Sequence, residues 1–349
     1  MTRSANSYSV LKSAIAGEIS QGLLSLKAAY QRQVVVTHWN VGRVLNEALD
    51  LDGASHSTEN SRVIRRLSRD FKRTVSFFYT VSKFNRLYPQ LPEGNLRWTH
   101  YVHLIRVDDD KKRSSLEARA LRQNIAGYRL GLLVSDRIQK EAASLLAQGL
   151  KPDAVNKTLP LKRGRLYHYQ VHKPAAGTSL EGRLLVDLGF SIERDVATSP
   201  TAKILPGYIV RVVKNKENYS IRKSRYEPER LYTYKAAVLK VVDGDTLTAR
   251  IDAGFRTWVT EKIRLRGIDC AEVSCTQGLA AKQYVRKQLD GAGFIIVKTY
   301  KQEKFGRFLG DVFYLKGEPD PAVVAERGTF LNQELLDTGH ADLYEEDGE

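Results

Sequence analysis

The sequence predicts a multidomain protein of mixed α+β class, and three patterns along it carry that reading. Through the first 150 residues apolar side chains recur at steps of three and four, the spacing of amphipathic helices. After Gly149 and Pro152, which end the last helical run, short β-rich segments follow, divided by proline and glycine turns. From about residue 231 there are five strand-like runs with helical patterns inserted late, the element order of a five-stranded OB-fold barrel. The expected organisation is an all-helical domain over 1–150, a small basic β-rich module over 151–230 and a barrel domain over 231–349.

At 349 residues the chain is long for one hydrophobic core, which also favours several domains. The formal net charge is +15, and it is unevenly spread. Residues 1–150 hold 23 Lys+Arg against 13 Asp+Glu, residues 151–230 hold 16 against 8, and residues 231–349 hold 16 against 19. The basic surplus thus lies upstream of the barrel. Such a surplus either neutralises phosphates, giving salt-sensitive binding to nucleic acid, or simply solubilises the chain. Two cysteines, Cys270 and Cys275, are too few for a disulfide framework. No apolar leader opens the sequence, and no run reaches the roughly 18 apolar residues of a membrane span. A cytoplasmic protein without a membrane partner is therefore expected.

In the helical third, Tyr8, Leu11, Ile15, Ile19, Leu23, Leu26 and Tyr30 share one helix face, and a second helical stretch runs from about 33 to 48 around Trp39. Residues 50–60 are polar and turn-rich, as a loop would be. A helix over 61–73 carries Ile64, Leu67 and Phe71 on one side and arginines and lysines around the rest. A short turn then leads, with Ser76 as N-cap, into a helix ending near Tyr88, before Pro89. Helix, turn and helix, with Lys83 and Arg86 on the second, suit a reader of the DNA major groove. They suit equally a solvated basic face or a subunit interface, which would make the chain a homo-oligomer. A last helix is expected over 115–148. His100 and His103, with no carboxylate or cysteine nearby in sequence, read as core histidines rather than metal ligands. The segments His38–Arg43, Arg66–Phe71, Phe84–Pro89 and Leu96–His100 resemble the N-terminal domain of YhcG-type bacterial nucleases over roughly residues 10–140. In that family the helical domain precedes a nuclease of another fold, which implies targeting or assembly.

The middle module reads as about five strands, with clear runs at 165–171, 182–187 and 209–213. Arg211, Lys214, Lys216, Arg222, Lys223 and Arg225 alternate there with Tyr219 and Tyr226, which fits a nucleic-acid surface or an exposed sheet edge.

The chemistry concentrates between Val242 and Arg307. Strands are expected at 232–242, 246–252, 257–268, 294–300 and 307–315, with helices near 277–289 and 322–338. On them lie Asp243-Gly244-Asp245-Thr246, the run Arg264 to Glu272, and Lys304-Phe305-Gly306-Arg307. Carboxylates and arginines so placed could hold a hard cation beside a phosphodiester and direct water at it. The plainer alternative is an Asp-Gly-Asp turn, an exposed strand face carrying Arg264 and Arg266, and Glu272 as a helix-initiating acid.

These three motifs, in this order and spacing, resemble the staphylococcal nuclease (thermonuclease) family over residues 232–345: Asp243–Thr246, then Arg264, Asp269 and Glu272, then Phe305-Gly306-Arg307. The resemblance implies a metal-dependent endonuclease that hydrolyses DNA, or RNA, and leaves a 3′-phosphate. Asp245 and Asp269 offer hard oxygen ligands of the kind calcium takes. The resemblance further implies that the backbone carbonyl of Cys270 joins them and that Asp243, behind the ligands, orients water. It makes Glu272 the general base and Arg264 and Arg307 the phosphate-contacting arginines, with Lys304 and Phe305 beside the nucleic acid. Cys270-Ala271 stands where the family usually has Thr-Pro, which leaves a looser loop or an oxidisable thiol. Phe305 replaces a tyrosine, and little sequence follows Tyr344 for the family's C-terminal helix. The rival expectation is a catalytically silent nucleic-acid-binding or assembly protein.

Overall fold

The computed structural model describes residues 2–49, 58–149, 158–174, 183–195, 204–215, 218–225, 227–302 and 306–344. Lys304, Phe305, Lys216, Tyr226, most of the polar loop at 50–60 and the turns at 175–177 and 198–200 lie outside them. The chain divides into two compact units, Met1–Gln139 and Lys140–Glu349.

The first unit is built from α1 (Thr2–Leu49), α2 (Thr58–Asp70), α3 (Val75–Leu87), α4 (Trp98–Leu104), α5 (Asp110–Arg122) and the start of α6 (Gly127–Gln148). The two helical stretches read on either side of Tyr30 are one continuous helix, because no glycine or proline interrupts the chain there. The N-cap of α3 is Thr74 rather than Ser76: the Thr74 hydroxyl accepts the Phe77 N–H at 3.2 Å. The single helix read over 115–148 is two, since α5 ends in a left-handed turn at Asn124 (φ 46°). There the N–H of Ile125 reaches the Ala120 carbonyl at 3.0 Å, the helix-closing pattern that satisfies terminal carbonyls.

α3 is the centre of this unit, burying Phe78, Val81, Ser82 and Phe84 against α1, α2 and α4. The Trp39 indole donates to the Tyr88 carbonyl at 2.7 Å, and Asn46 donates to Asn85 at 2.9 Å. Trp98 meets the Phe84 ring edge-on at 5.2 Å. Motif residues of the helical third thus hold the packing of α1, α3 and α4. His100 accepts the Arg97 N–H at 3.1 Å through Nδ1 and faces the Ile125 carbonyl at 2.9 Å through Nε2. Both its ring nitrogens serve the fold, as a core histidine's would.

The second unit opens with β1 (His168–His172), β2 (Leu185–Asp187), β3 (Glu193–Asp195), β4 (Ile209–Asn215) and β5 (Asn218–Lys223), an antiparallel sheet in the order β3-β2-β1-β4-β5. It continues with β6 (Thr233–Val241), β7 (Thr246–Asp252), β8 (Trp258–Leu265), β9 (Ile268–Asp269), α7 (Thr276–Leu289), β10 (Ile295–Gln302), β11 (Phe308–Tyr314), α8 (Pro321–Arg327), β12 (Thr329–Phe330), α9 (Leu331–Asp337) and β13 (Asp342–Leu343). β10, β6, β7, β8 and β11 pair in that order, and β11 pairs back onto β10, so these five strands close a barrel. Closure leaves its strands no open edge and is the OB-like order. The helix read over 322–338 is interrupted, because Thr329–Phe330 runs extended beside β11.

The five-stranded sheet and the barrel, read apart in sequence, share one hydrophobic core that includes Val171, Leu188, Val210, Leu247, Ile251 and Val312. Tyrosines tie them together. Tyr169 donates to the Ala253 carbonyl at 2.7 Å, Tyr234 to that of Leu188 at 2.8 Å, and Tyr232 to the Asp187 carboxylate at 2.7 Å. Among the described residues no helix is long and apolar enough to cross a membrane.

Candidate active site

The site forms where β7 begins, β8 ends and β9 leads into the loop before α7. Asp245 closes the turn into β7, and its carbonyl accepts the Leu265 N–H at 2.7 Å, which locks the turn to the end of β8. Antiparallel register sets Thr246 opposite Arg264. From there the Arg264 guanidinium donates to Asp245 Oδ2 at 2.5 Å and to Asp269 Oδ1 at 2.6 Å. One arginine therefore joins a carboxylate from the turn before β7 to one from β9. Asp245 also accepts from the Thr246 hydroxyl at 2.8 Å and the Cys270 N–H at 3.3 Å. Arg264 is 9% exposed and Asp245 4%, so neither belongs to an exposed strand face. Arg266 is bound bidentately to the fully buried Asp311, at 2.9 and 3.1 Å.

Gly244 packs closely on α7 and the loop before it: a Cβ there would stand 2.7 Å from Ala281 Cβ and 2.8 Å from Cys270 Sγ. From α7, Lys282 donates to the Val242 carbonyl at 2.7 Å and holds the same turn. Glu272 lies on the loop ahead of α7. Its carbonyl accepts the Cys275 N–H at 3.0 Å, and a Cβ on Gly278 would come within 2.1 Å of that oxygen. The backbone of Glu272 is thus pinned while its side chain is exposed, with no hydrogen bond or ion pair among the described residues. Arg307 precedes β11, whose parallel register sets Leu309 opposite Arg264. Arg307 is two residues, or about 7 Å of strand, from that pair.

Asp243 has one carboxylate oxygen, Oδ1, buried without a hydrogen-bond partner among the described residues. Its pKa is pushed up to about 6, first by burial and then by the negative charge of Asp245, with Arg264 pulling the other way. Burial, reinforced by the surrounding aspartates, drives the Cys270 thiol well above its ordinary value. That keeps it protonated and unreactive, unlike the oxidisable thiol the sequence allowed.

Among the described residues no three His, Cys, Asp or Glu side chains form a group able to hold a metal by themselves. What the site offers is two carboxylates, Asp245 and Asp269, brought together by Arg264, and a third, Asp243, with a buried oxygen unsatisfied among the described residues. That oxygen-only set fits a hard cation that completes its coordination with water and phosphate. It would suit a thiolate-seeking metal poorly.

The two basic residues read on α3 differ. Lys83 is half-buried and paired with Asp108 at 2.9 Å, whereas Arg86 is exposed. More exposed arginine lies on α2, where Arg62, Arg66 and Arg69 fall on one face at i, i+4 and i+7. Two contributors to the site lie outside the three motifs. Lys282 holds the Asp-Gly-Asp turn, and Tyr344 sets its ring 5.7 Å from the Arg264 guanidinium. No spacing rule marks them, because each reaches the site through tertiary packing.

Residues 262–349 match the family model described as staphylococcal nuclease homologue. The matched stretch holds Arg264, Asp269, Cys270, Glu272 and Arg307 and begins downstream of Asp243 and Asp245. The similarity supports a staphylococcal nuclease domain at the C-terminal end, with nuclease or nucleic-acid-binding function. No curated protein matches the chain.

Proposed function

We propose that the barrel domain is a calcium-dependent endonuclease that hydrolyses phosphodiester bonds of DNA, with RNA as the alternative substrate, and that the basic residues upstream bring nucleic acid to it. One observation carries this reading. Asp245, from outside the matched stretch, converges on Arg264 and Asp269 from inside it, and an exposed Glu272 follows Asp269 by three residues.

Asp245, Asp269 and the Cys270 carbonyl are the groups that would hold the cation. When bound, calcium supplies positive charge that offsets the charge building on the phosphoryl oxygens. Glu272 faces solvent, where it can remove the proton of an attacking water; such a base contributes roughly 10²–10⁴ in rate. The water oxygen forms the new bond to phosphorus as the bond to O5′ breaks, and O5′ leaves with a proton from solvent. The strand ends in a 3′-phosphate. Arg264 and Arg307 donate to the non-bridging oxygens, for which the guanidinium fork is well shaped. Asp243 orients water from behind the ligands. Upstream, Arg62, Arg66 and Arg69 on α2, together with Arg86, supply phosphate contacts.

The test is cleavage of single- and double-stranded DNA and RNA by the purified protein with calcium, magnesium or chelator, beside Asp245→Asn. The proposal expects cutting that needs calcium, and a variant that needs far more calcium or does not cut. Cutting that chelator and Asp245→Asn both leave intact would overturn it.

A further inference from the structure

We infer that the first half of α1 is a self-association surface, on which two copies of the chain pack as an antiparallel two-fold pair. Every residue from Tyr8 to Tyr30 is exposed, whereas from Val35 onward α1 begins to bury side chains in its own unit. The exposed half is not polar. Tyr8, Leu11, Ile15, Ile19, Leu23, Leu26 and Tyr30 form one apolar stripe, each of them 50% to 68% exposed. Nor is this half a helix that would persist alone, because Ser9, Ser13, Gly17, Ser20, Gly22 and Ser25 lower its intrinsic helicity. Its order calls for packing from another chain.

The stripe itself points to the occupant. Counted from Ile19, Tyr8 and Tyr30 lie eleven residues to either side, Ile15 and Leu23 four, and Leu11 and Leu26 eight and seven. Reversing the helix therefore lays the stripe almost onto itself, tyrosine to tyrosine at each end and Ile19 on Ile19 at the centre. A two-fold interface requires that self-complementarity, since residue i must meet j where j meets i. A helix of unrelated sequence does not.

The sizes agree. The stripe spans about 33 Å of helix. At roughly 60–120 Å² for each large apolar side chain, it offers roughly 400–800 Å² per copy. That approaches the roughly 800 Å² each partner contributes to a standard interface. Only Lys12, Glu18 and Lys27 are charged between residues 8 and 30, so the helix lacks the cationic polar face of one that binds anionic lipid.

Sedimentation of the full chain at micromolar concentration tests this, beside Ile19→Glu on the stripe and Leu24→Glu, an equally accessible apolar position near the opposite side of the helix. Wild type and Leu24→Glu should run as two chains. Ile19→Glu should run as one, its dissociation constant raised about 100-fold or more because the change enters the interface twice. Its unit should stay folded, since among the described residues the stripe packs on nothing else. Orientation is read by oxidative cross-linking: Tyr8→Cys mixed with Tyr30→Cys should link, and Tyr8→Cys alone should not. A wild type that runs as one chain overturns the inference. So does dissociation by Leu24→Glu to the same extent, cross-linking of Tyr8→Cys to itself, or a stripe that seats on phosphatidylcholine–phosphatidylglycerol vesicles while the chain stays single.

Discussion

At the scale of single residues, Arg264 and Glu272 occupy opposite situations and should fail in opposite ways. Arg264 joins two carboxylates, one of them almost wholly buried. Arg264→Gln leaves Asp245 charged and poorly paired, and should cost about 3–5 kcal/mol of stability as well as activity. Thermal unfolding in chelator measures that loss. Glu272→Gln changes an exposed side chain with no hydrogen bond or ion pair among the described residues, so it should leave stability within about 0.5 kcal/mol.

Asp243 supplies a second contrast at this scale. Its folded pKa of about 6 lies above the ordinary carboxylate value, so the fold favours its protonated form. The cost of charging it is therefore borne in full above pH 6 and relieved as pH falls through about 6 towards 4. His340, held down to about pKa 4 by burial, works the other way, because its unfolded form takes a proton below about pH 6.5. The informative quantity is thus the difference between wild type and Asp243→Asn in chelator. The variant should be the more stable at pH 7, and the gap should close by pH 4. An equal gap at both pH values would show that the charge on Asp243 costs the fold nothing.

At the scale of elements, α7 aims the loop that carries Glu272. Its first turn touches that loop through Gly278, where a Cβ would sit within 2.1–2.3 Å of the Ala271 and Glu272 backbone. Gly278→Ala should therefore displace the loop, costing about 1–3 kcal/mol and lowering the cleavage rate with calcium affinity little changed. Unaltered cleavage would mean that the loop has room to relax.

Elements of this kind differ in how far the sequence discloses them. The barrel strands were legible because a half-buried strand alternates every second residue, and the observed bounds fall close to the runs read for them. The three motifs disclosed the residue types of the site. What stayed hidden depends on register and packing. That Arg264 bridges Asp245 and Asp269 follows from Thr246 standing opposite it, and no local pattern encodes this. The break between α8 and α9 has the same origin, since Thr329 and Phe330 run extended only because β11 offers them a partner. Nor does sequence spacing reveal that the middle sheet and the barrel bury their apolar faces in one core.

At the scale of the whole molecule, the positive charge lies upstream of the chemistry along the chain: the segment with the candidate site is slightly acidic, and the segments before it carry the surplus. If that surplus binds phosphates, affinity for DNA should fall steeply with salt, by roughly 0.9 in logarithmic slope for each phosphate contacted. Replacing Arg62, Arg66 and Arg69 of α2 together by serine should reduce the slope by about 2–3, one for each lost contact. A slope unchanged by the triple variant would remove α2 from the binding surface without touching the catalytic proposal.

Glu272, exposed on the loop that follows Asp269 of the Asp245–Arg264–Asp269 cluster, is the proposed general base of the hydrolysis. Single-turnover cleavage of DNA in saturating calcium, by wild type and by Glu272→Gln of equal thermal stability, tests it most directly. The rate should be lower by about 10²–10⁴ in the variant, with DNA binding unchanged. Equal rates in the two proteins would contradict it.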